Sequence, residues 1–174
     1  MTEAAATVED VEATEPLEPE TRLNEADNRI KNHVIAAMAA SLIPVPVFDL
    51  VALTGIQLKM LHSLCGLYEV KFSKDLGKEL IAALLGGIVP ASLAVSAAKS
   101  VPGLGTATGI LSMALLGGAA TYAIGKVFVQ HFESGGTFLN FDPEEVRAYF
   151  KQQFEEGKEV AADLKSDSAT ASKS

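Results

Sequence analysis

Between Leu80 and Gly125 the chain carries a single charged side chain, Lys99. The nineteen residues from Leu80 to Ala98 are uncharged, and so are the twenty-six from Ser100 to Gly125. At about 1.5 Å of rise per residue the first run makes a helix of about 28 Å, close to the ~30 Å hydrocarbon core of a bilayer. Joined at Lys99-Ser100-Val101-Pro102-Gly103, where Pro and Gly suit a tight turn, the two runs form a hairpin. A chain with this centre either places the hairpin in lipid or wraps it in other helices.

Charge is distributed to match. Of the net −8, residues 1–29 supply −7 and residues 126–174 supply −3, whereas residues 30–125 carry +2 with only ten charged side chains. A surface facing water is normally dominated by Lys, Glu, Arg and Asp, so this centre disfavours an ordinary soluble enzyme. No basic stripe exists for a nucleic acid to bind. The acidic opening from Met1 to Asp27 lacks the basic start and apolar stretch of a secretory peptide, so the expected side for the N-terminal tail is cytoplasmic. Cys65 is the one cysteine, which rules out an intramolecular disulfide and reads as a buried structural thiol.

The expected fold is all-α. Residues 1–23 form an acidic disordered tail, residues 24–164 a helical membrane domain, and residues 165–174 a second disordered tail. Within the domain a helix pair comes first, at about 24–43 and 47–68, interrupted by Pro44-Val45-Pro46. The second of these is apolar almost all round, as a buried or lipid-facing helix is. A polar joint follows, in which Ser73 suits a helix cap. The central hairpin occupies about 80–125, with Tyr122, Phe128, His131 and Phe132 reading as an interfacial aromatic belt. Gly135-Gly136 ends that helix. Asp142-Pro143-Glu144-Glu145 then reads as the start of an amphipathic helix over about 143–164, carrying Val146, Phe150, Phe154 and Val160.

Small residues indicate how the helices meet. Ala83, Gly87 and Ala91 recur at every fourth position of the first arm, and Gly105, Gly109, Gly117, Thr121 and Gly125 lie on one ridge of the second, interrupted by Met113. Such ridges let backbones approach closely where packing replaces the hydrophobic effect. Three polar residues stand out as candidates for function. Asp49 is the one carboxylate between Asn32 and Leu58, and with Gln57 it forms a candidate polar contact or conduction feature. The plainer reading is that Asp49 stabilises the N-terminus of its own helix. Lys99 sits at the hairpin tip, facing water or headgroups. Gly103 to Gly109 superficially resembles a phosphate loop but lacks its Lys-Ser/Thr pair and a preceding strand. His33, His62 and His131 have no metal-ligand spacing, so neither a catalytic residue, a cofactor nor a metal is expected.

Several motifs in one order carry a resemblance: Ile43-Pro44-Val45-Pro46 with Asp49, Gln57-Leu58-Lys59-Met60 with Tyr68, Lys99 through Gly105, and Thr121-Tyr122-Ala123-Ile124-Gly125-Lys126 through Gly136. Over about residues 30–157 the chain resembles bacterial domain-of-unknown-function family 697. That resemblance implies an inner-membrane protein whose domain is often fused to, or encoded near, a small or dynamin-like GTPase. This chain lacks a GxxxxGK[ST] loop, so a GTPase would be a partner in trans.

The expected function is a non-enzymatic inner-membrane protein that anchors or regulates a cytoplasmic partner. Lys71, Lys74 and Lys78 before the hairpin and Lys126 after it place both termini in the cytoplasm by the positive-inside rule. Expected partners are the lipid bilayer, a GTPase and a second copy of the chain. The alternatives are a soluble or conditionally inserting helical bundle that buries the hairpin, and a channel or transport component lined by Asp49 and Gln57.

Overall fold

The computed structural model describes residues 17–42, 46–87 and 107–171, with side chains described over 17–42, 51–87 and 113–167. These residues form five α-helices and one 3-10 turn, and no strand is present among them. The turn of the expected hairpin, with Lys99 and Gly105, lies outside the described residues, as do most of its first arm, residues 1–16 and residues 172–174.

Helix α1 spans Pro19–Ala40 and begins earlier than the apolar pattern suggests, because Pro19 occupies its first turn with Glu20 beside it. Proline's fixed φ and an acidic first turn both favour a helix start. Ala26, Ile30, Val34, Ala37 and Met38 are buried at three- and four-residue spacing, which gives α1 one apolar stripe. Helix α2 spans Pro46–Leu67, with Gln57, Leu58, Met60, Leu61, Leu64 and Cys65 buried. It ends in a six-to-one bond from the Val70 amide to the Cys65 carbonyl at 2.9 Å, around Glu69 at φ 56°. Helix α3 spans Lys74–Gly86, and its N-cap Ser73 accepts a hydrogen bond from the Leu76 amide at 3.4 Å.

Helix α4, Ala107–Glu133, is the axis of the bundle and packs against all four other helices. Along it α1 runs antiparallel, since Met38 lies at Gly118 and Ile30 at Gly125. α2 runs parallel, with Gln57 at Thr121 and Tyr68 near Phe132. Gly135 at φ 78° and Gly136 close α4, their amides bonding back to Phe132 and His131 at 2.9 Å.

The apolar strip that follows is a 3-10 turn at Phe138–Asn140, fixed by a capping box between Thr137 and Asn140. Phe138 and Phe141 fold back on Phe128, at ring separations of 5.4 and 4.5 Å. With Phe132 they make an aromatic core rather than an interfacial belt, and Tyr122 is buried as well. Burial of each such ring stabilises the fold by roughly 1.5–3 kcal/mol.

Helix α5 spans Arg147–Ala171 and returns antiparallel along α4. The Asp142 carboxylate does accept from the Glu144 amide at 2.8 Å, but residues 143–146 form a turn and the helix proper begins at Arg147. It also continues to Ala171, past the end expected near Leu164.

Candidate functional site around helix α4

The glycines of α4 sit where neighbouring helices come closest. A Cβ at Gly117 would stand 2.7 Å from Ser41 Oγ, one at Gly118 2.8 Å from Met38 Cγ, and one at Gly125 2.6 Å from Ile30 Cγ1. All three therefore serve contact with α1. On the other flank a Cβ at Gly157 of α5 would stand 2.9 Å from the Ala119 carbonyl oxygen. Gly118 and Gly157 lie off the ridge read from the sequence. Their signal is weaker but present, since a glycine inside a helix costs about 1 kcal/mol relative to alanine and so marks a close approach. Gly109 lies on α4, whereas Gly87, at the end of α3, sits against the Arg147 guanidinium.

Of the candidate polar residues, Asp49 falls in the first turn of α2, where a negative charge complements the helix N-terminus. Its side chain is outside the described set. Gln57 is fully buried, and its amide nitrogen donates to the Thr121 hydroxyl at 3.4 Å, which in turn donates to the Gly117 carbonyl at 2.9 Å. The Gln57 Oε1 has no partner among the described residues. A polar seam thus crosses the apolar half of the bundle where α2 meets α4.

The opposite half of α4 is tied down by charge. Arg22 makes a two-pronged bond to Glu133, at 3.1 and 3.0 Å, and lies over the Tyr68 ring. Lys126 pairs with Asp27 at 3.0 Å. Within the apolar half, Tyr122 donates its hydroxyl to Glu156 of α5 at 2.7 Å, and Gln153 donates to the same carboxylate at 3.1 Å. Except for Gln153 and Glu156, which are one turn apart on α5, these partners are far apart in the chain and not visible in local sequence. Cys65 is buried and its thiol is pushed up to about 12 by that burial, which leaves little thiolate at neutral pH. Among the described residues no three of His, Cys, Asp and Glu converge as metal ligands.

The helix at the centre of this arrangement is long and apolar enough to cross a membrane over Met113–Glu133, yet 72% of its apolar 18-residue window is buried within the fold. The family described as Domain of unknown function (DUF697) matches residues 11–159. The chain belongs to this family. Within DUF697 terms, the match covers all of α1 to α4 and the first half of α5. A similar protein is Magnetosome membrane protein 22 of Magnetospirillum gryphiswaldense, 48% identical over 144 residues that cover 80% of this chain and 74% of that protein. No solved structure matches the chain.

Proposed function

We propose that this DUF697 chain is a non-enzymatic, membrane-associated helical protein that anchors or regulates a cytoplasmic partner at the inner membrane. The observation that carries the reading is α4. Its first nineteen residues, Ala107 to Gly125, are uncharged, and they sit in a chain 48% identical to a relative named as a membrane protein. The charged ties to α1, at Lys126 and Glu133, begin where that run stops. This division of α4 into an apolar and an anchored half fits a helix with one end at lipid and the other in water. Both termini lie on the cytoplasmic side in this reading, given the lysines that flank the hairpin. The partner is a small or dynamin-like GTPase in trans, as the family resemblance implies.

The test is fractionation followed by cysteine accessibility in intact cells. With Cys65 replaced, single probes go at Thr2, Ser100 and Ser174. The reading expects sedimentation with membranes through an alkaline carbonate wash, and outside labelling at position 100 alone. Protein recovered in the soluble fraction without detergent would count against it.

The burial of α4 favours a second reading. Helices α1, α2 and α5 supply enough apolar surface to cover most of it, so a bundle folded in water that inserts on demand is supported by the same helix. Protein that is soluble when purified and binds vesicles when added would favour this reading over permanent residence.

A further inference from the structure

Helix α5 is the element whose position conflicts with entry of α4 into a bilayer. Beside the uncharged run of α4, α1 has no charged residue from Val34 to Leu42, and α2 has none from Val51 to Leu58. α5 is different. Glu156 meets Tyr122, Gly157 meets Ala119, Ala161 meets Gly118, and Ala162, Lys165 and Ser166 face Leu115 across a shallow cleft. Successive turns of α5 thus descend the apolar half of α4. Over that length α5 carries Glu155, Glu156, Lys158, Glu159, Asp163, Lys165 and Asp167, nearly all exposed. Charged groups at that depth in hydrocarbon are expensive and need water or partners. The two helices cannot enter a bilayer together in this packing.

We infer that α5 is a removable cover over a lipid-docking face of α4, formed by Leu115, Gly118, Ala119 and Tyr122, and that this face meets acyl chains only after α5 has swung away. The inference rests on the membrane reading above. Three features of the contact fit a cover. Beyond Gln153 the described residues of α5 buried outright are the small Gly157 and Ala161, whereas the larger Phe154, Val160 and Leu164 are only half-buried against the core. The side-chain hydrogen bond from Tyr122 of α4 to Glu156 ties the upper turn of that stretch. Further apolar groups are already exposed towards the same end of the bundle, Met113 and Leu116 of α4, Leu42 just after α1 and Val51 of α2. Apart from the Tyr122 hydroxyl this surface is hydrocarbon, which suits acyl chains better than a polar protein partner.

The chain contains no tryptophan, so Leu115→Trp places a single reporter under the cover. In a Cys65→Ser background, Tyr122→Cys with Gly157→Cys provides a lock. A Cβ at position 157 would stand 3.1 Å from Tyr122 Cβ and 2.9 Å from the Ala119 carbonyl oxygen, so the helices part by a few tenths of an ångström to relieve that contact and reach the ~3.5–4.5 Å span of a disulfide. The full chain is mixed with phosphatidylethanolamine–phosphatidylglycerol vesicles whose acyl chains are brominated. With the lock reduced, the indole is expected to be quenched. With it oxidised, quenching is expected to fall at least threefold and to recover on reduction. Equal quenching in both states overturns the cover while leaving the membrane reading intact, whereas failure of the reduced protein to float with vesicles overturns both. If the cysteine pair does not fold, Gly157→Leu in the reporter background decides. It wedges α5 off α4 and is expected to raise quenching at least threefold, and unchanged quenching despite new protease cleavage in α5 overturns the inference.

Discussion

Gly125 of α4 is an empty socket for Ile30 of α1: a Cβ at position 125 would stand 2.6 Å from Ile30 Cγ1 and 2.9 Å from its Cδ1. Ile30 is itself fully buried, so it has nowhere to retreat. The glycine is held there by packing, since as a helical residue it would otherwise be better as alanine. The next residue, Lys126, reaches Asp27, which lies about one turn before Ile30 on α1. Close packing and an ion pair therefore fix the α1–α4 register together.

Gly125→Val should destabilise the fold by about 1–3 kcal/mol, the usual cost of overpacking a filled core. Gly55 of α2 offers the contrast, because nothing lies within 4 Å of a Cβ added there. Gly55→Ala should stabilise by about 0.5–1 kcal/mol through helix propensity alone. Urea titration of both variants checks the pair. Equal shifts of the midpoint in one direction would contradict the assignment of Gly125 to a close contact.

What the sequence made legible follows the range of the forces involved. The charge-free run from Ala107 to Gly125 and the apolar circumference of α2 are composition effects, and each appears as a helix packed on the others. The Ser73 cap and the Gly135-Gly136 stop are local backbone effects and were readable from neighbours in the chain. Partner choice was not readable. The ridge through Gly117, Thr121 and Gly125 announces a close helix, and its described contacts are with Ser41 and Ile30 on one side and with Gln57 of α2 on the other; most of the first hairpin arm lies outside the described residues. Arg22 and Glu133 are 111 residues apart, and no local pattern marks either for the other. The early start of α1 at Pro19 escaped because an acidic first turn looks like a disordered tail until the apolar stripe is counted back to Ala26.

Glu69 holds a left-handed backbone at φ 56° where the chain leaves α2. A residue with a Cβ pays roughly 1–2 kcal/mol for that conformation and glycine does not. The side chain is exposed, so little else is lost on its removal. Glu69→Gly should therefore raise stability by about 0.5–1 kcal/mol after the extra freedom of the unfolded chain is subtracted. Glu69→Ala should gain nothing, and differential scanning calorimetry of the two separates the backbone effect from loss of charge.

Tyr68 and Tyr149 lie outside the uncharged run, and both phenols are raised by burial; for Tyr68 the nearby Glu133 carboxylate adds to the effect. In the folded protein they stay protonated past the pH at which an unfolded tyrosine ionises, about 10. The unfolded state then binds fewer protons than the folded one, so stability falls as pH rises above that point. Stability should be level through neutral pH and decline above about pH 10, with a shallower decline in Tyr68→Phe. Urea midpoints across that range, with phenolate absorbance followed in parallel, make the comparison; a slope unchanged by Tyr68→Phe would show that this phenol does not contribute.

Gln57 is the buried polar group whose role is most open to experiment. Its Oε1 has no partner among the described residues, and the donor bond from its amide to Thr121 is long at 3.4 Å. The Thr121 hydroxyl is satisfied without it, through Gly117. An unpaired buried acceptor costs roughly 1–3 kcal/mol, and an apolar side chain of similar volume removes that cost. Gln57→Leu should therefore stabilise the protein by about 1 kcal/mol and leave the Thr121–Gly117 bond in place. If the amide lines a conduction path with Asp49, the same variant should also change ion flux across vesicles carrying the protein. Gain of stability with unchanged flux assigns Gln57 to packing, gain of stability with altered flux assigns it to function, and loss of stability would mean that Oε1 has a bonded partner in the folded protein.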